Sequence, residues 1–169
     1  MRVTLDKGYT LIELAVVVIL IGLFLGLSIP RFQYAIVSDD LKTTIRRIVG
    51  TVKGLRNEAI REQQVYIFYL DLESNRLWIE PAGIGEEERA LAREKAFEFP
   101  RGVRIMDVWC MGKGKKVNGE VAIRFSKKGY VEQTVIHLGA EDGREFTLAL
   151  NPFLGTIKVY DKYVDIATM

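Results

Sequence analysis

Lys7-Gly8-Tyr9-Thr10-Leu11-Ile12-Glu13-Leu14 opens an apolar run that continues to Ile29 and decides how the rest of the chain is read. From Tyr9 to Ile29 only Thr10, Glu13 and Ser28 are polar. As a helix these about 21 residues would span roughly 30 Å, the thickness of a bilayer core, so 9–29 is expected to be a membrane helix. A secretory signal peptide would carry a shorter apolar run with a small-residue cleavage site behind it. Here the run passes directly into an amphipathic pattern, and the anchor is expected to be retained. Arg2 and Lys7 precede it against Asp6 alone. This positive-inside bias places the N-terminus in the cytoplasm and the remainder outside, which in a two-membrane bacterium means an inner-membrane anchor and a periplasmic domain.

Glu13 is the residue out of keeping with that solvent. An ionised carboxylate facing lipid costs about 3 kcal/mol on insertion scales, so it must either reach headgroups and water or pair with a cation from another chain. Pro30 closes the apolar run. It removes one helical donor and crowds the carbonyl four residues earlier, which marks a kink or the boundary between membrane and water. Gly22 and Gly26, four apart, form a small face that would permit close helix packing.

Beyond Pro30, Leu41, Ile45, Ile48, Val52, Leu55 and Ala59 recur at alternating steps of four and three, the apolar stripe of an amphipathic helix. Lys42, Arg46, Arg47, Lys53 and Arg61 occupy the opposite face. This stem, 30–64, is expected to end near Gln64 and to lay its stripe on a sheet. Gly50 and Gly54 predict local bending or close packing. A period of two then takes over. Val65–Leu72 and Arg76–Glu80 read as a hairpin about Glu73-Ser74-Asn75, and Val103–Trp109, Glu120–Phe125, Tyr130–Leu138, Arg144–Leu150 and Thr156–Tyr160 as further strands. Gly83–Lys95, dense in charge, reads as a solvated helix or loop, and Gly112–Gly119 as a Gly and Lys loop. One long helix followed by about seven antiparallel strands makes 65–169 the globular part of an α+β fold.

The run from Lys7 to Leu14 and the helix behind it resemble the leader junction of type IV prepilins and type II secretion pseudopilins, with Tyr9 where phenylalanine is commonest. The resemblance implies a leader at 1–8. A prepilin peptidase would cut between Gly8 and Tyr9 and methylate the Tyr9 amine. Glu13, then at the fifth mature position, would neutralise the N-terminal amine of a neighbouring subunit, and Pro30 also matches the family. Three further segments are similar to the H-type minor pseudopilins (GspH) and the related FimT-type minor pilins: Leu55-Arg56-Asn57-Glu58-Ala59-Ile60, Phe99-Pro100-Arg101-Gly102, and the closing stretch Leu150 to Val159. The function this implies is that of a minor pseudopilin, a structural subunit of the pseudopilus of a type II secretion system. Its partners would be the peptidase, other minor and major pseudopilins, an inner-membrane assembly platform and membrane lipid. The alternative is a type IV pilus minor pilin in pilus assembly, adhesion or DNA uptake.

The composition holds little that suggests catalysis. The 169 residues carry 24 basic and 22 acidic side chains, a net charge of +2 that does not call for nucleic acid. Lys113, Lys115 and Lys116, with Lys127 and Lys128, are the one basic group that would contact DNA phosphates; a solvated hairpin tip is the reading preferred. Cys110 is the only cysteine and His137 the only histidine, so no disulfide scaffold and no metal-ligand spacing is available, and a Ser-His-Asp site would have to be built on His137 alone, for which a core or surface histidine is the reading preferred. Gly112-Lys113-Gly114-Lys115-Lys116 lacks the spacing and the hydroxyl residue of a phosphate-binding loop. No enzyme activity, metal or cofactor is expected.

Overall fold

The computed structural model describes residues 11–153 and 156–165, with the side chains of 24–39 outside that description. The elements are α1 (Leu11–Glu62), β1 (Tyr66–Asp71), β2 (Arg76–Pro81), α2 (Glu86–Glu94), β3 (Phe97–Glu98), β4 (Val103–Cys110), β5 (Gly114–Lys116), β6 (Glu120–Phe125), β7 (Thr134–Ala140), β8 (Glu145–Leu150) and β9 (Ile157–Tyr160). The class is α+β, as expected. The strands beyond the expected seven are β3 and β5. Strands this short carry no readable period. β5 corrects the loop expected at Gly112–Gly119, because Gly114, Lys115 and Lys116 pair with Cys110, Trp109 and Val108.

The chain divides into two compact units between Ile36 and Val37. In the first, the apolar side chains of α1 from Leu11 to Leu23 are exposed, Leu11 by 87 %. Among the described residues no helix is long and apolar enough to cross a membrane. Tyr9, Thr10 and the side chains of 24–39 lie outside those residues.

The second unit holds the core. Leu41, Ile45, Ile48, Val52, Leu55 and Ala59 are each 7 % exposed or less, and they join one cluster with the inward residues of both sheets. Burying a side chain of this size contributes about 1.5–3 kcal/mol, so the stripe is what holds α1 to the sheets. Lys42, Arg46, Arg47, Lys53 and Arg61 are exposed, as the pattern requires. Gly50 and Gly54 do not serve close packing: an added methyl at either would meet open space. After Glu62, Gln63 turns to φ +50 and the Gln64 amide donates back to the Ala59 carbonyl (3.2 Å), which ends the helix where expected.

All strand pairings are antiparallel, in two sheets ordered β3-β2-β1-β6 and β5-β4-β7-β8-β9. Tyr66, Phe68 and Leu70 of β1 and Val121, Ile123 and Phe125 of β6 point into the core, while Tyr69, Trp78 and Glu80 occupy the other face of the first sheet. There α2 covers them. Arg89 pairs with the buried Glu80 (3.3 Å), and Arg93 stands over the Trp78 ring (5.4 Å) while pairing with Glu120 (3.1 Å). α2 buries none of its own residues, in keeping with the solvated helix expected at Gly83–Lys95. The turn Ser126–Gly129 meets α1: Gly129 has φ +77, its carbonyl accepts from Arg56 Nε (3.1 Å), and a Cβ there would lie 2.6 Å from Ile60 Cδ1.

Every residue of β7 is buried, so both faces of that strand are covered. On β4 the pairing with β7 shifts between Ile105 and Asp107, making Met106 the extra residue of a bulge. Val103 and Ile105 face the core before the bulge and Val108 and Cys110 after it. Regular alternation from Val103 would have turned Asp107 inward. The bulge turns it to the other face, opposite His137.

Candidate functional site

Two groups of residues carry the chemistry of interest. The first is the start of α1. Gly8 and Tyr9 lie outside the described residues. Glu13 lies in α1, exposed among the exposed apolar side chains of Leu11, Ile12 and Leu14. It is a charge on an otherwise apolar surface. Pro30 falls within the span of α1, and its side chain is outside the described residues.

The second group lies across the second sheet. Asp107 on β4 and His137 on β7 are cross-strand partners, and Thr147 on β8 follows His137 in register. His137 Nδ1 lies 2.6 Å from Asp107 Oδ1. Its Nε2 lies 3.0 Å from the Val164 carbonyl. Tyr163 stacks on the imidazole with centroids 3.9 Å apart, and its hydroxyl donates to Asp107 Oδ2 (3.1 Å). Thr147 Oγ1 donates to the Lys162 carbonyl (2.8 Å) and accepts from the Val164 amide (2.9 Å). Residues 161–165 are thereby fastened across the outer face of the sheet by buried polar groups, each of which finds a partner.

The basic residues singled out from the sequence are drawn into this network. Lys115 reaches Asp107 Oδ2 (3.2 Å) and the Tyr163 hydroxyl (2.6 Å). Its pKa is raised, first by the hydrogen bond to Tyr163 and then by that to Asp107. Lys113 pairs with Glu132 (2.7 Å), and Lys116 donates to the Glu120 carbonyl (3.4 Å). A phosphate would have to displace a carboxylate from Lys113 and Lys115, which weakens the case for a nucleic-acid contact. Among the described residues no group of three or more metal-ligating side chains assembles. Burial pushes the Cys110 thiol up, against the hydrogen bond from Thr134 (3.8 Å) that lowers it, so the buried Cys110 is poorly placed to react.

His137 was expected in the core or at the surface; its partners were not expected at all. Asp107 carried the one available signal, a lone charge inside the apolar run Ile105-Met106-Asp107-Val108-Trp109.

Two solved structures of the minor pseudopilin EpsH from the type II secretion system of Vibrio cholerae align with this fold. One gives a TM-score of 0.57 at 12 % identity, covering 75 % of this chain and 99 % of that one; the other gives 0.55 at 14 %, covering 75 % and 97 %. The fold is that of a minor pseudopilin. In sequence, 61 residues are 33 % identical to type II secretion system protein H of Pseudomonas aeruginosa, 36 % of this chain and 36 % of that protein. The match thus spans about a third of the curated relative's length. No protein-family model matches the chain.

Proposed function

We propose that this chain is a minor pseudopilin, a structural subunit of the periplasmic pseudopilus of a type II secretion system. The observation that carries the reading is the likeness to EpsH over nearly the whole of that chain, on a protein that also matches protein H in sequence. In this reading residues 1–8 are a leader removed by a prepilin peptidase, which cuts between Gly8 and Tyr9 and methylates Tyr9. Residues 9–29 anchor the chain in the inner membrane with the N-terminus cytoplasmic, 30–64 form the stem, and 65–169 stand in the periplasm.

Glu13 is given the role its position requires. Its carboxylate on an apolar helix is stabilised when the N-terminal amine of a neighbouring subunit meets it in the membrane, so one ion pair both neutralises the charge and sets the axial step between subunits. Pro30 marks where the helix leaves the lipid. The working partners are other pseudopilins and the assembly platform, and the role is assembly rather than catalysis.

Coexpression with a prepilin peptidase tests the first step. The intact mass of the wild-type protein is expected to fall by the leader and rise by one methyl group, and Gly8→Ala is expected to remain uncut. An uncut wild-type chain, or normal processing of Gly8→Ala, would overturn the reading.

A further inference from the structure

His137 sits between two atoms that only accept. Asp107 Oδ1 faces Nδ1 at 2.6 Å and the Val164 carbonyl faces Nε2 at 3.0 Å. A neutral imidazole has one N–H to give; the imidazolium has two, and it alone satisfies an ionised carboxylate and a carbonyl together. A protonated Asp107 donating to a neutral ring is the competing arrangement. Against it, Asp107 Oδ2 accepts from Lys115 Nζ and from the Tyr163 hydroxyl, and both bonds favour the carboxylate ion.

We propose that His137 is carried as the imidazolium and acts as a pH-sensitive latch, holding residues 161–165 on the outer face of the second sheet through its bond to the Val164 carbonyl. The proposal stands on the geometry of this unit alone and does not depend on the filament reading. Loss of the proton from Nε2 to water leaves the Nδ1 donor on Asp107 and sets a nitrogen lone pair against the Val164 oxygen. The bond broken is thus the one to the C-terminal segment. Among the described residues the groups in contact with the ring or its carboxylate are Asp107 from β4, Lys115 from β5 through that carboxylate and Tyr163 from the segment itself, with Thr147 of β8, which does not titrate, beside His137 in register. Stacking by Tyr163 and the two Thr147 bonds then hold the segment alone, so it opens more often, the Val164 amide leaving Thr147 Oγ1 each time, while the sheet beneath it stays paired.

His137 is the only histidine, so labelling histidine with nitrogen-15 in the full-length protein in detergent micelles reads its ring without overlap. Both ring nitrogens are expected to carry a proton while the Val164 carbonyl is bound. Once Nε2 has given up its proton, the bond to the Val164 carbonyl is expected to be gone. The Val164 amide should then exchange about tenfold faster than base catalysis alone accounts for, the effect of losing one charge-assisted hydrogen bond. A neutral ring while the segment is still docked overturns the imidazolium. Deprotonation with unchanged exchange at Val164 overturns the latch. His137→Gln is expected to abolish the pH dependence at Val164, and persistence of that dependence also counts against the proposal. Should this variant fail to fold, the wild-type titration alone decides.

Discussion

Tyr66 donates its hydroxyl to the Glu62 carboxylate across the end of α1, and this pair has a pH signature of its own. The hydrogen bond pushes Tyr66 up to about 12 from an ordinary 10.0, and the same bond, followed by Arg61, lowers Glu62. For a folded value raised above the unfolded one, the stabilisation is whole below pH 10 and is lost as pH rises towards 12. For Glu62 the sign reverses: its contribution is present above the ordinary carboxylate range and disappears as pH falls through its lowered value. Ultraviolet titration of the tyrosines should therefore show a last phase near pH 12 that Tyr66→Phe removes; survival of that phase in the variant would show that another tyrosine carries it. The acidic side of the stability profile should become shallower in the same variant.

At the scale of elements, α1 and β4 show two kinds of design. The helix follows its pattern at every position of the stripe from Leu41 to Ala59, so its energetics should follow burial. Ile48→Ala, at a fully buried position, is expected to cost about 2–5 kcal/mol. Lys53→Ala, on the exposed face, is expected to change stability by less than about 0.5 kcal/mol. Urea unfolding of the two variants side by side measures the contrast, and equal effects would mean that the stripe does not bear the load. β4 departs from its pattern at one residue. Because Met106 is the extra residue, deleting it should leave a regular strand on which Asp107 still faces His137, with stability changed by about 1 kcal/mol. The ring-nitrogen spectrum of His137 reports whether the pairing survives, and its loss would give the bulge a larger part than re-aiming one carboxylate.

For the molecule as a whole, the proposed role depends on an apolar helix joined to an EpsH-like fold. Glu13→Ala removes the charge without shortening the apolar run, so the protein is expected to be cleaved and to fractionate with the membrane while its incorporation into filaments is strongly reduced. Crosslinking to other pseudopilins in sheared filament fractions would check this, and wild-type incorporation would refute the amine-pairing role. The ion pairs of Lys113 and Lys115 bear on the alternative of DNA uptake, because a chain that already neutralises its basic loop has less to offer a phosphate backbone.

Much of the architecture was legible without coordinates. The stripe from Leu41 to Ala59, the β1–β2 hairpin about Asn75, and β6 at Glu120–Phe125 all stand where the sequence places them, because a helix or strand with one buried face writes its period into the order of its own residues. The likeness of Gly8, Tyr9 and Glu13 to a prepilin junction is a matter of sequence alone, and Gly8 and Tyr9 lie outside the described residues. Other features were decided only by the tertiary structure. These are the division of the strands into two sheets, the long-range pairing of β1 with β6 and β4 with β7, the edge strands β3 and β5, and the meeting of Asp107, His137, Thr147 and Tyr163. Periodicity states that a face is buried and is silent on what buries it. Asp107 shows the consequence most sharply: alternation along β4 points it into the core, and only pairing with β7, which absorbs Met106 in a bulge, carries the carboxylate to the opposite face and into contact with the chain's single histidine.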